Sequence, residues 1–191
     1  MPDWTLPHHC TLVAGASGSG KTSFCQSFLL NRSLELAGNP APAACTFVFD
    51  YKLEFSQRLG IPAVGTLKEC QAALASRWVV FNPFIMFQSE EGKEAPERRA
   101  FAWFCEWVYD VCRRGPGRKV FHCDEAHNFL PTRSDLLPAY FSRILREGRA
   151  EDLEVLLSTQ FPKDYARIVR DRKSTRLNSS HRIASRMPSS A

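Results

Sequence analysis

No apolar run in this 191-residue chain is long enough to span a bilayer; the longest, Val79 to Phe87, is broken by Asn82 and Pro83. The start, MPDWTLPHHC, lacks the basic residues and apolar stretch of a secretory signal. None of the seven cysteines forms a C-x-x-C pair, and most sit in apolar stretches, so they read as small core residues in a reducing, cytoplasmic compartment. A surplus of charge is also missing from most of the chain. The net charge of +5 would point to a nucleic-acid or membrane partner. Yet five of the 25 basic and one of the 20 acidic residues fall in 171–191, leaving 20 against 19, so residues 1–170 carry only +1. Any basic patch on the body is therefore local.

What is present is enough for one domain with its own core. With 44% hydrophobic and 24% charged residues the chain is neither disordered, collagen-like nor a disulfide scaffold. The last stretch, DRKSTRLNSSHRIASRMPSSA, has neither helical nor strand periodicity. It resembles the in-frame translation of a sequencing adapter, with Arg182 to Ala184 at the variable index. Residues 1–170 are accordingly expected to form the domain, and 171–191 a disordered, non-native tail that replaces the natural sequence near Arg170. A genuine basic tail touching nucleic acid is the alternative.

Along the body, strands and helices alternate, which implies α/β architecture with a mostly parallel sheet. CTLVAG, Cys10 to Gly15, is a first strand, followed by a helix from Lys21 to about Leu30, and AGNPAPAA breaks the pattern. Cys45 to Asp50 and Trp78 to Pro83 are further strands. Between them lies a helix whose Thr66 and Glu69 have the spacing of a capping box. A charged surface loop is expected over Gln88 to Glu97. Phe101, Phe104, Cys105, Val108, Val111 and Cys112 then recur at helical spacing, with Trp103 and Trp107 widening the packing stripe, until Gly115 to Gly117 ends the helix. KVFHCDE and DLEVLLSTQ are the fourth and fifth strands, and there is no internal repeat.

The first strand runs into Gly15-Ala16-Ser17-Gly18-Ser19-Gly20-Lys21-Thr22, a full G-x-x-x-x-G-K-[ST] match in the strand, loop, helix context that a phosphate-binding loop requires. Glycines let the backbone curl so that its amides point at phosphate oxygens. Lys21 would add a point charge at the β and γ phosphates, and the Thr22 hydroxyl would ligate Mg²⁺. Asp124 and Glu125 close a buried strand, where parallel sheets gather their ligand sites. Asp124 would hold Mg²⁺ through its waters, and Glu125 would orient and deprotonate an attacking water. A strand inserted between the first and the acidic strand would bring Gln160, after Ser158-Thr159, beside the γ-phosphate. His127, which completes the spelling D-E-A-H, is given no catalytic role.

On these residues the chain resembles the FtsK/HerA class of P-loop motor ATPases, viral DNA-packaging ATPases included, over most of residues 10 to 170. Asp50-Tyr51-Lys52-Leu53-Glu54 with Gly60-Ile61-Pro62 resembles that family's D-P-K-x-x-E and G-I-P segments. Arg146-Glu147-Gly148-Arg149-Ala150 and Ser158-Thr159-Gln160-Phe161-Pro162 resemble its G-R-A and A-T-Q-R-P segments, with Phe161 standing where an arginine is common. The resemblance implies a P-loop NTPase three-layer sandwich of the ASCE/RecA type, incomplete at its C-terminus, that binds ATP and Mg²⁺. It further implies hydrolysis coupled to DNA translocation or packaging by a homo-oligomeric, hexameric ring, in host cytoplasm if the source is viral. Arg149, or next Arg146, would then reach a neighbouring subunit's site as an arginine finger. The bland alternative is that Arg143, Arg146 and Arg149 form a solvated face beside Glu147, Glu151 and Asp152. A DEAH-type helicase would share GSGKT and DEAH, but DYKLEF and STQ stand where its other motifs belong. A non-motor nucleotide switch finds no support, because no expected catalytic residue is missing.

Overall fold

The computed structural model describes residues 10–37, 45–86, 96–115, 117–131, 136–161 and 177–178. Its strands are β1 (Cys10–Ala14), β2 (Cys45–Phe49), β3 (Ala63–Val64), β4 (Trp78–Phe81), β5 (Lys119–Cys123), β6 (Leu153–Thr159) and β7 (Leu177–Asn178). They form one sheet in the order β3-β4-β2-β5-β6-β1-β7, with every pairing parallel. The strand β6 lies between the phosphate-loop strand β1 and the acidic strand β5, as the expected α/β, P-loop NTPase architecture requires. Near-continuous burial along β1, β2, β5 and β6 explains their unbroken apolar runs, since helices cover both faces of a parallel sheet.

One face is covered by α5 (Pro96–Arg114) and α6 (Ala139–Glu147). The expected stripe of α5 is found: Phe101, Phe104, Cys105, Val108 and Cys112 are buried at helical spacing. Its Phe101 and Phe104, with Phe129 from the turn after β5, surround Phe49, their ring centres lying 5.2 Å, 5.9 Å and 4.9 Å from it. Trp103 and Trp107 pack, as expected, against Phe81 at 5.4 Å and Phe47 at 5.8 Å. The opposite face is covered by α1 (Lys21–Ala37) and the short α2 (Glu54–Leu59), which lay Cys25, Phe28, Leu29 and Phe55 on Val13, Val48, Val80, Val120 and Leu156.

The helix α1 continues to Ala37, past the expected end near Leu30. The polar run Asn31-Arg32-Ser33 conceals a buried anchor. Arg32 is 1% exposed and grips Glu154 of β6 through Nε at 2.9 Å and a terminal nitrogen at 3.2 Å, while stacking on Phe28. Ser33 accepts from the Trp78 indole at 3.0 Å. A second buried cation, Lys119, closes the end of α5 by donating to the carbonyls of Cys112 at 3.1 Å and Gly115 at 2.6 Å.

Thr66 and Glu69 form the expected capping box at the start of α3 (Leu67–Ala73). The strand expected to run to Pro83 stops at Phe81, because Asn82 accepts from Phe84 N at 3.0 Å and starts α4 (Pro83–Met86). Short α2 and two-residue β3 carry no periodicity to read. Leu177 and Asn178, from the stretch expected to be disordered, pair with Val13 and Ala14 on the outer edge of β1. That edge otherwise presents unpaired backbone groups. The rest of 171–191 and residues 38–44 lie outside the described residues, as do 88–95 of the loop expected over Gln88 to Glu97, whose last two residues, Pro96 and Glu97, instead begin α5. All seven cysteines are buried and free, with burial pushing the thiols of Cys45, Cys70 and Cys112 up to about 12. No helix among the described residues is long and apolar enough to cross a membrane.

Arg32→Met should lower the unfolding free energy by about 3 kcal/mol, because it leaves Glu154 buried with only the half-exposed Arg118, 3.6 Å away. Adding Glu154→Leu should restore much of that loss in urea unfolding; no recovery would mean that Arg32 acts through packing alone.

Candidate active site

The phosphate loop joins β1 to α1 as a compact turn. Gly15 N donates to Thr159 O at 3.1 Å, tying the loop to the end of β6, and Ser19 N donates to Ala16 O at 3.2 Å. Gly18 and Gly20 have φ of 73° and 85°, the left-handed region, and a Cβ on either would meet nothing within 4 Å. Backbone conformation, rather than space, calls for glycine there. The loop delivers the N-terminus of α1 to a cavity of about 290 Å³.

The expected residues divide into three groups. Ser17, Gly18, Gly20, Lys21 and Thr22 line the cavity, and Glu125 and Gln160 face them from the ends of β5 and β6. Gly15, Ser19 and Asp124 are not on its wall: the first two shape the loop, and Asp124 is 4% exposed, with Ser158 Oγ donating to its Oδ1 at 2.5 Å. Arg149 is in neither group. It is exposed on the turn Gly148–Glu151 before β6, at the opposite end of the strand from Gln160. Lys21 lines the cavity without extending far into it. It is 7% exposed and its Nζ folds back on Ala16 O at 2.8 Å, an ammonium with three donors taking a nearby loop carbonyl.

Glu125 is the most constrained group in the site. Its backbone is left-handed, with φ of 47°, a conformation that a non-glycine residue adopts only where its surroundings hold it. The backbone N donates to Ser158 Oγ at 3.3 Å. Carboxylate Oε1 accepts from Lys52 Nζ at 2.6 Å and from Gln160 Nε2 at 2.7 Å. Oε2 is buried without a hydrogen bond, and His127 Nδ1 lies 3.4 Å from it. Burial pushes the Glu125 carboxyl up, but the hydrogen bonds from Lys52 and Gln160 outweigh it and hold the group below the ordinary carboxylate range. The same contact raises Lys52. The pair is therefore a carboxylate and an ammonium. His127, given no role from sequence, contacts Thr159 Oγ1 at 3.3 Å as well as Glu125.

Ser23, Lys52, Glu54 and Arg58 also line the cavity although sequence reasoning gave them no role; Lys52 and Glu54 were visible as part of the segment after β2. Of these, Lys52 touches Glu125. Its position comes from Asp50, which is fully buried. Asp50 accepts from Ser56 N at 2.9 Å through Oδ2 and from Asn82 Nδ2 at 2.8 Å through its carbonyl. Burial raises the Asp50 carboxyl. Nearby His122 is part of the core: its ring packs at a tilt against Phe55 at 4.7 Å, and burial pushes it down to about 4, so it stays neutral.

No family model matches the chain, and no curated protein does. Solved structures do. The genome packaging NTPase B204 from Sulfolobus turreted icosahedral virus 2, in complex with ATP-gammaS, superposes with a TM-score of 0.62 at 17% identity, covering 87% of this chain and 72% of its own. B204 from Sulfolobus turreted icosahedral virus, a DNA-packaging ATPase, gives 0.60 at 19% identity over 85% of this chain and 71% of its own. The cytoplasmic domain of EssC gives 0.51 at 10% identity over 88% of this chain and 32% of its own. At these identities the likeness establishes the fold: the chain has the α/β fold of the P-loop packaging NTPases.

Gly20→Ala should cost about 1–2 kcal/mol in chemical denaturation, the price of a left-handed alanine with free space around it. Gly65→Ala should cost more, since its Cβ would fall 2.3 Å from the Ile85 side chain. Equal losses would show that strain and crowding are not separated as described.

Proposed function

We propose that this chain is an ATP-hydrolysing P-loop motor of the FtsK/HerA type, coupling hydrolysis to the movement of DNA. The observation that carries the reading is the convergence on one cavity of the phosphate loop from β1, Glu125 from β5 and Gln160 from β6. Loop amides and the N-terminus of α1 favour a polyanion. A carboxylate facing them suits hydrolysis, which needs a base for water.

Within that reading each group has a task. Glu125 accepts the proton of the attacking water on its carboxylate, of which Oε2 is buried and receives no hydrogen bond from the protein. Gln160 holds the other oxygen and reports on the γ-phosphate. Lys21 leaves Ala16 O for the β and γ phosphates. Thr22 and Asp124 offer hard oxygens of the kind Mg²⁺ prefers, and Ser158 fixes Asp124. When bound, Mg²⁺ supplies charge neutralisation at the phosphates.

Support for a motor is the sequence resemblance together with the fold shared with proteins described as packaging NTPases. DNA as the polymer and a homo-oligomeric ring belong to the same proposal, as does a cytoplasmic setting for seven free thiols. A body of net charge +1 confines any grip on DNA to a local patch.

Lys21→Ala should abolish nucleotide binding with the fold retained, and Glu125→Gln should bind ATP but hydrolyse it about 10²- to 10⁴-fold more slowly. Parental turnover in Glu125→Gln would assign the base elsewhere. The ring makes a separate prediction. An Arg149→Ala subunit and a Glu125→Gln subunit, each inactive alone, should regain turnover when mixed, because one brings an intact base and the other an intact finger. Full activity of Arg149→Ala by itself would remove the finger.

A further inference from the structure

The cavity has a second cationic bank that the phosphate loop does not account for. Lys52 and Arg58 line it as well as Lys21, and the Lys52 side chain is 40% exposed although its Nζ is held at 2.6 Å by Glu125. The backbone beneath it is fixed: Asp50 is locked by Ser56 and Asn82, Leu53 is left-handed with φ of 60°, and Gln57 N donates to Leu53 O at 3.1 Å. What can move is the four-carbon stem of Lys52, which carries three donors and no acceptor.

Two anions can compete for that ammonium. One is the carboxylate of Glu125, which Gln160 also serves through the same oxygen, so Glu125 keeps a partner if Lys52 departs. The other is a terminal phosphate, which carries more charge and more acceptor oxygens than a carboxylate. The exchange makes or breaks no covalent bond. It would strip Glu125 of its counter-charge only when the γ-phosphate is present, making it a stronger base at that moment. Loss of the γ-phosphate would return Lys52 to Glu125.

We propose that Lys52 is a γ-phosphate ligand that leaves Glu125 when a nucleoside triphosphate binds, and returns to it in the diphosphate state. The proposal rests on the reading of the cavity as a nucleotide site. It assigns Lys52 the discrimination between triphosphate and diphosphate, separate from the anchoring by Lys21.

The test is calorimetric titration of the full chain with ATPγS and with ADP, both with Mg²⁺. Lys52→Ala should weaken ATPγS about tenfold or more, the worth of one charge-assisted hydrogen bond, and leave ADP within about twofold. Glu125→Gln, which removes the competing anion, should tighten ATPγS and leave ADP unchanged, and that gain should vanish in the double variant. Lys52→Arg should keep most of the triphosphate preference. Equal weakening of both nucleotides by Lys52→Ala, or no change in either, would overturn the proposal while leaving the nucleotide site intact. Failure of the unaltered chain to bind either nucleotide would instead overturn the reading of the site, and the role of Lys52 with it.

Discussion

The seating of β6 between β1 and β5 is the constraint on which the site depends. Its register sets Ser158 beside Val13 and Thr159 beside Ala14 on one side, and Leu157 beside Cys123 on the other. From those positions Thr159 O receives the first amide of the phosphate loop, Ser158 holds both Asp124 and the backbone of Glu125, and Gln160 reaches the Glu125 carboxylate. A slip of one residue would turn every one of these side chains to the other face of the sheet. Near the start of the strand, Glu154 binds Arg32 and so fixes α1, the helix whose N-terminus the loop opens into. One strand thus ties the phosphate loop, the acidic pair and the loop's helix into a single rigid unit.

Legibility in the sequence follows the range of the interaction. The phosphate loop was readable because its chemistry is local: two left-handed glycines and a lysine at the mouth of a helix leave a fixed spacing. The strands were readable because sheets covered on both faces need unbroken apolar runs, and the capping box because both partners lie within one turn. The insertion of β6 was inferred from what Gln160 would need, and the pairing bears it out. The α1 end was missed because a buried Arg32 looks like a surface residue until Glu154, 122 positions away, is known to meet it. Lys52 falls in the segment that resembles D-P-K-x-x-E, but its role was not readable for the same reason: its partner Glu125 is 73 residues distant.

The near neutrality of the body has a structural counterpart. Its buried charges meet an opposite charge or backbone carbonyls: Arg32 meets Glu154, to which the half-exposed Arg118 adds; Lys119 meets the end of α5; and Glu125 meets the partly exposed Lys52. A charge buried without such a partner would cost several kcal/mol, about what a whole domain has to spare. Asp50 comes nearest to an exception, with one carboxylate oxygen buried and unpartnered. Burial answers by raising its carboxyl, so it tends toward the neutral form while still receiving Ser56 N.

Position along β6 also bears on how subunits would cooperate. The strand spans Leu153 to Thr159 and so separates Arg149, before its start, from Gln160, after its end, by roughly 23 Å at about 3.3 Å per residue. No side chain bridges that distance, so Arg149 cannot serve the cavity of its own chain. If Arg149 contributes to hydrolysis at all, it must do so in a neighbour, and β6 then becomes the mechanical link between two sites. On the proposed reading, its C-terminal end would read the phosphate of one nucleotide through Gln160, while its N-terminal end would present a cation to the next. A packed core strand flanked on both sides by parallel neighbours is stiff, so a shift at one end is carried to the other rather than absorbed within the sheet.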